Sequence, residues 1–286
     1  MRTNAIVRIV LYSIAILILV SILAGALLLN TFIVDTDWST VFTSENTGTV
    51  ASVGSIPADE IRDIKIEWAA GTITLEPGDV QEITFSETAG LADKDQMVWS
   101  RNGDKLVIHY SQTRVYFGIS IETPKDLKIV VPKDWVCDEL EIDAASAEVN
   151  VTNMTISDVD FDGASGVCTF TNCHVKTMDV DTASGDLRYS GTLVEMDCDA
   201  ASATCTMRLT NCPKRIDADM ASGDLRLTLP DDCGFTVDLD ALSGDFTSDF
   251  PTHTQNGKHI YGDGSCTINV SAMSGDVNIY KGSAAE

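Results

Sequence analysis

The residues that could do chemistry in this chain are carboxylates arranged in two columns. Glu141, Asp160, Asp179, Asp197, Asp217 and Asp238 recur at one position of a repeat, where Asn269 stands last. Two residues further on stand Asp143, Asp162, Asp181, Asp199, Asp219 and Asp240, and then Ser271. Residues two apart on a strand share a face, and in-register neighbours on adjacent strands lie about 5 Å apart. Such a grid offers oxygen ligands to hard cations such as Ca²⁺. The metal candidates are Asp179, Asp181, Asp197, Asp199, Asp217 and Asp219. A specific site needs about six to eight oxygens converging on one point, and a flat ladder converges poorly. The preferred reading is therefore a solvated acidic face that keeps the protein soluble and blocks lateral sheet pairing. No cofactor is expected.

Paired carboxylates also act as acid and base in glycoside hydrolysis. A catalytic pair needs two unlike environments at one place, whereas these columns repeat along much of the chain. His109, His174, His253 and His259 form no zinc signature, and Cys168-x4-Cys173 with His174 lacks a second pair to complete four ligands. No nucleophile elbow or phosphate loop is present. The expectation is a non-enzymatic protein without catalytic residues.

The elements that position these columns follow from the repeat. Taking one serine of each repeat as zero, the zeros are Ser146, Ser165, Ser184, Ser202, Ser222, Ser243 and Ser274, so the last spacing carries an insertion. Apolar residues occupy the positions six and four before zero and three after it, as in Leu140, Ile142 and Val149 or Ile216, Ala218 and Leu225. Period-two alternation on both sides of a bend means two strands per repeat, each with one buried face. The residue after zero is Gly or Ala throughout, which suits a tight corner. The repeated "SGD" is thus punctuation at a bend. Stacked units of this kind predict an all-β fold, a parallel β-solenoid of about 19–20 residues per rung with two main strands per rung. "IKIEWAAGTITL" fits the same columns as a degenerate first rung if Ala70 is its zero, and less regular strands after it predict an N-terminal β cap.

The cysteines can be placed in this register. Cys168, Cys198 and Cys205 fall in apolar columns. Cys212 and Cys233 each stand ten residues before a zero, in successive corners, and are the first disulfide candidate; Cys198 and Cys205 flank one bend and are the second.

Residues 9–34 carry no charge and are dominated by Ile, Leu, Val and Ala. As a helix they exceed the roughly 30 Å of a bilayer core. Arg2 and Arg8 precede the run, while Asp35 and Asp37 follow it. The expectation is one transmembrane helix at 9–34 with the tail 1–8 in the cytoplasm and the rest outside the cell. A stalk at 35–60, the cap with its degenerate rung at 61–136, the repeats at 137–282 and a tail at 283–286 complete the division. The formal net charge is −24, heaviest in the repeats, and such a domain repels nucleic acid. The expected partners are the membrane, through the N-terminal helix, and an envelope protein or surface ligand.

The anchor, the "IKIEWAAGTITL" opening, "GDKLVI", "LKIVVP" and the "SGD" rungs, in that order, resemble the bacterial putative-adhesin domain of unknown function. The resemblance covers about residues 60–282. It implies a β-solenoid attached to the cell envelope and either an adhesion-like role or a scaffold role in envelope-stress systems. It implies no ligand or catalytic residue. The alternative function is a calcium-dependent carbohydrate-binding or polysaccharide-processing protein that uses the acidic face.

Overall fold

The structure is a computed structural model and describes residues 48–111, 114–116, 119–121 and 124–282. The segments expected as cytoplasmic tail, membrane helix and C-terminal tail lie outside the described residues, as does 35–47 of the expected stalk. Among the described residues, no helix is long and apolar enough to cross a membrane. Within the rest of the expected stalk stand two short paired strands, in which Ile56 is buried while Val50 and Val53 are exposed.

The fold is nearly all-β. The N-terminal part holds β1 (Thr49–Val50), β2 (Val53–Pro57), β3 (Asp63–Gly78), β4 (Glu82–Glu87), β5 (Val98–Asn102) and β6 (Lys105–His109). A small antiparallel hairpin, β7 (Arg114–Tyr116) and β8 (Ile119–Ile121), forms a two-stranded sheet of its own and belongs to a different compact unit from the other strands. β9 (Leu127–Pro132) leads into the repeats, which are β10 (Cys137–Thr152), β11 (Thr155–Gly163), β12 (Val167–Leu209) and β13 (Arg215–Leu229). The C-terminal part holds β14 (Phe235–Ser243), β15 (Phe246–Ser248), β16 (His253–Gln255), β17 (Lys258–Tyr261), β18 (Cys266–Ser274) and β19 (Val277–Lys281).

Successive repeats pair in parallel and in register. Leu140 lies beside Val159 and Ile142 beside Phe161, Val159 beside Met178, and Met196 beside Ile216. β3 joins the same register, with Ile64 beside Leu140 and Ala70 beside Ser146. The apolar columns form one continuous core: Ile64, Leu140, Met178, Met196, Ile216 and Ile268 are fully buried. Burying each such side chain contributes roughly 1.5–3 kcal/mol, and every repeat relies on its neighbours to cover the exposed side of its layer.

Two corners per repeat make this stacking possible. At the first, Gly223 has φ +152, and a Cβ there would lie 1.8 Å from the carbonyl oxygen of Ala203. Only a residue without a side chain permits so close an approach. At the second corner, Asn153 and Asn172 adopt positive φ, and Asn172 Nδ2 donates to Asn153 Oδ1 at 2.7 Å. Asparagine tolerates this left-handed turn, and stacked amides satisfy one another.

The order of layers departs from chain order at both ends. The last repeat, around Ser274, does not follow the repeat around Ser243. Instead β18 lies between β13 and β14, in parallel register with each. The long final spacing, from Ser243 to Ser274, holds β15 and β18 with the antiparallel hairpin of β16 and β17 inserted between them. At the other end β3 lies between β10 on one side and β6 and β9 on the other. Antiparallel strands then close the stack: β5 on β6 and β4 on β9, with β1 on β5 and β2 on β4. β3 at one end and β18 at the other are thereby covered on both sides, while beyond β18 the strand β14 is covered by β17 only from Phe235 to Val237.

Candidate functional site

The registers that build the core also align the carboxylates. Glu141 lies beside Asp160 and Asp143 beside Asp162; Asp160 lies beside Asp179 and Asp162 beside Asp181; Asp197 lies beside Asp217 and Asp199 beside Asp219. Asn269 and Ser271 separate Asp217 and Asp219 from Asp238 and Asp240. Asn269 Nδ2 donates to Asp217 Oδ1 at 2.7 Å, so a neutral donor replaces a like charge. All six metal candidates thus sit on one face of the stack. Among the described residues, no three or more His, Cys, Asp or Glu side chains form a group that could hold a metal ion.

Electrostatics divides the face. At its N-terminal end Lys65, beside Glu141 in register, places Nζ 2.5 Å from Glu141, 3.2 Å from Asp143 and 3.5 Å from Glu67. Lys105 adds contacts of 2.6 Å to Glu139 and 3.4 Å to Glu141. Burial disfavours both the Lys65 and Glu141 charges, but hydrogen bonding and Coulomb attraction outweigh it. The Lys65 pKa is raised and the Glu141 pKa lowered.

The middle behaves in the opposite way. Burial, followed by repulsion from neighbouring carboxylates, raises Asp160, Asp162 and Asp181 above the ordinary aspartate value. For Asp199 the same causes push the pKa up to about 6, with Asp219 and Asp181 the strongest neighbours. Asp197 is also raised by burial, although Arg215 at 3.8 Å opposes the shift. Arg215 hydrogen-bonds Asp217, and Lys258 lies 2.9 Å from Asp238.

The cysteines take three roles. Cys212 and Cys233 form a disulfide with Cα atoms 5.1 Å apart. They precede β13 and β14, which are not neighbours but flank β18, so the bond spans the inserted strand. Cys198 and Cys205 face one another across the Ser202 bend as free buried thiols with Sγ atoms 3.6 Å apart. Their hydrogen bond and burial raise the Cys198 pKa. Cys168 and Cys266 are buried single thiols, and burial pushes Cys266 up to about 12.

One charged cluster has no signal in the sequence. Lys125 and Glu87 are both fully buried, with Nζ and Oε2 2.8 Å apart. Lys125 Nζ also donates to the carbonyls of Asp95 and Ser111, each at 3.0 Å, and lies 4.3 Å from the Tyr110 ring centroid. Glu87 Oε1 accepts from the Met97 backbone N–H at 2.5 Å. Every strong hydrogen-bonding partner is internal, which is how a buried ion pair becomes tolerable. A lysine in "TPKDL" reads as surface until the fold encloses it.

Together these features define a class: an all-β protein of stacked strand repeats that presents a carboxylate grid on one face. The chain belongs to the Toastrack DUF4097 family, whose profile matches residues 61–280, in agreement with the adhesin-like resemblance. Solved structures similar to it include a "putative adhesin" from Bacteroides fragilis, at 9% identity, covering 79% of this chain and 95% of that one, with a TM-score of 0.44. A "putative cell adhesion protein" from Clostridium sporogenes matches at 10% identity, covering 80% and 97%, with a TM-score of 0.35. A "putative lipid binding protein" from Parabacteroides distasonis matches at 15% identity, covering 79% and 95%, with a TM-score of 0.30. None of the curated proteins matches the chain.

Proposed function

We propose that this protein is a non-enzymatic binding module of the cell envelope, anchored through residues 9–34 and presenting a parallel β-solenoid outside the cell. Its role is adhesion-like or that of a scaffold for envelope-stress partners. The observation that carries this reading is the middle of the acidic face, where aspartates aligned in register are shifted upward by burial and then by repulsion from one another. A cationic partner surface relieves that repulsion, and strands about 4.8 Å apart hold the charges in a fixed array. The parallel registers support the solenoid reading, and the charge-free run after Arg2 and Arg8 supports the anchor.

Polylysine binding to the full chain in detergent, measured across salt, tests the site. Replacing Asp179, Asp181, Asp197 and Asp199 together by Asn is expected to weaken binding at least tenfold; unchanged affinity would sink the acidic face as the binding surface. Protease access to residues 61–282 in intact cells tests the topology, and protection from external protease would overturn it. The calcium-dependent alternative draws on the same upward-shifted carboxylates, which a divalent cation would also relieve. A rise of many degrees in Tm with millimolar calcium would favour it.

A further inference from the structure

The C-terminal end of the stack is only half covered. β14 pairs with β18 from Phe235 to Ser243 on one side. On the other side β17 pairs with it over Phe235 to Val237 and no further. β15 pairs with β19, and among the described residues no strand takes its outer side. A backbone edge therefore runs open from Asp238 to Ser248. Leu239 and Phe246 are only partly buried, whereas Val270 and Val277, their neighbours in the layer below, are 2% and 1% exposed. Leu242 is 69% exposed. Lys258 reaches Asp238, but among the described residues Asp240 has no cation beside it.

We propose that this edge accepts an extended segment of a partner protein as an added strand, with Lys or Arg alternating with aliphatic residues. A cation of the segment would stand over Asp240, and aliphatic residues on either side of it would cover Leu239 and Ala241, since alternate residues share a face. The opposite end of the columns already contains this arrangement. There Ile64-Lys65-Ile66 lies in parallel register on Leu140-Glu141-Ile142, and Lys65 bonds the acids beneath it. A second copy is the poorer occupant, because its own edge would bring Asp238, Asp240, Asp245 and Asp249 against like charges. The edge carries the C-terminal end of the acidic columns, which Asn269 and Ser271 set apart from the middle of the face, and the proposal rests on its open backbone and on Asp240 rather than on the middle carboxylates.

The test uses the full chain in detergent and a labelled peptide, acetyl-Lys-Val-Lys-Val-Lys-Val-Lys-amide. Amide hydrogen exchange is expected to slow within residues 238–248 when the peptide binds. Asp240→Lys should weaken binding at least tenfold, while Asp160→Lys, in the middle of the acidic face, should change it less than twofold. Equal loss in both variants, or slowed exchange along β11 and β12 instead of the edge, would overturn the proposal. So would equal binding of the Glu-Val counterpart. Slowed exchange at 238–248 that grows with protein concentration in the absence of peptide would assign the edge to a second copy and also overturn it. Because exchange is read on the unsubstituted protein, a variant that misfolds leaves the test intact.

Discussion

The N-terminal end and the middle of the acidic face have the same columns, the same backbone and the same strand spacing, yet their carboxylates shift in opposite directions. Glu141 is lowered because Lys65 and Lys105 reach it. Asp199 is raised because burial and other aspartates surround it. The difference comes from the layers beside Glu141: β3 places Lys65 in the Glu141 column, and from β6 Lys105 reaches the same carboxylate. A carboxylate ladder is therefore neither stabilising nor destabilising in itself, and the layer beside it decides which.

The largest expected effect comes from making the compensated end resemble the middle. Lys65→Glu should cost roughly 3 kcal/mol, or about 9 °C in Tm, because it leaves half-buried acids without their main cation. A fall of under 2 °C would show that the two ends do not differ in energy. Lys65→Met removes the charge but keeps the aliphatic stem and should cost about 1–2 kcal/mol by chemical denaturation, since Lys105 still reaches Glu141.

The pH dependence separates the two regions further. A carboxylate raised in the folded state, such as Asp199 at about 6, penalises the fold when ionised. Its relative stability is full below the unfolded value near 3.8 and is lost as pH rises through about 6. Tm should therefore rise as the protein is acidified from pH 7 to about pH 5. Glu141 works the other way: its stabilisation is present above its ordinary value of 4.5 and is lost as pH falls through its lowered pKa. Below about pH 4 the trend should reverse. A Tm that falls steadily from pH 7 downward would contradict the repulsive middle.

Asp199→Asn sharpens the comparison at one residue. It should raise Tm by about 1–2 °C at pH 7 and leave it unchanged at pH 4, the gain being small because surface charges are screened. The smallest effect is expected from calcium, with a shift below about 2 °C at ~1 mM, since the columns do not converge on one point.

Much of this arrangement is legible without coordinates. The apolar columns place Leu140, Met178 and Ile216 in the core and Glu141, Asp179 and Asp217 outside it, because strand periodicity assigns each residue to a face. Ala70 reads as a bend for the same reason, and the structure sets it beside Ser146. The Asn153 and Asn172 corners follow a recurring "TN" in the sequence. Lys125 was not available, because nothing local distinguishes a lysine that solvent will reach from one that Glu87 and Tyr110 will enclose.

Cys212 and Cys233 mark where local reading stops. Their equal offsets from successive bends suggest neighbouring rungs, but the structure bonds them across the strand that the chain adds last. Alternation and repeat spacing determine which way a side chain points and what lies one repeat away along a regular stack. They do not determine the order of layers at the two ends, where the chain doubles back to cover its edges. That order depends on pairing between strands far apart in sequence. It decided which acids meet Lys65, which strand the disulfide spans and which edge is left open.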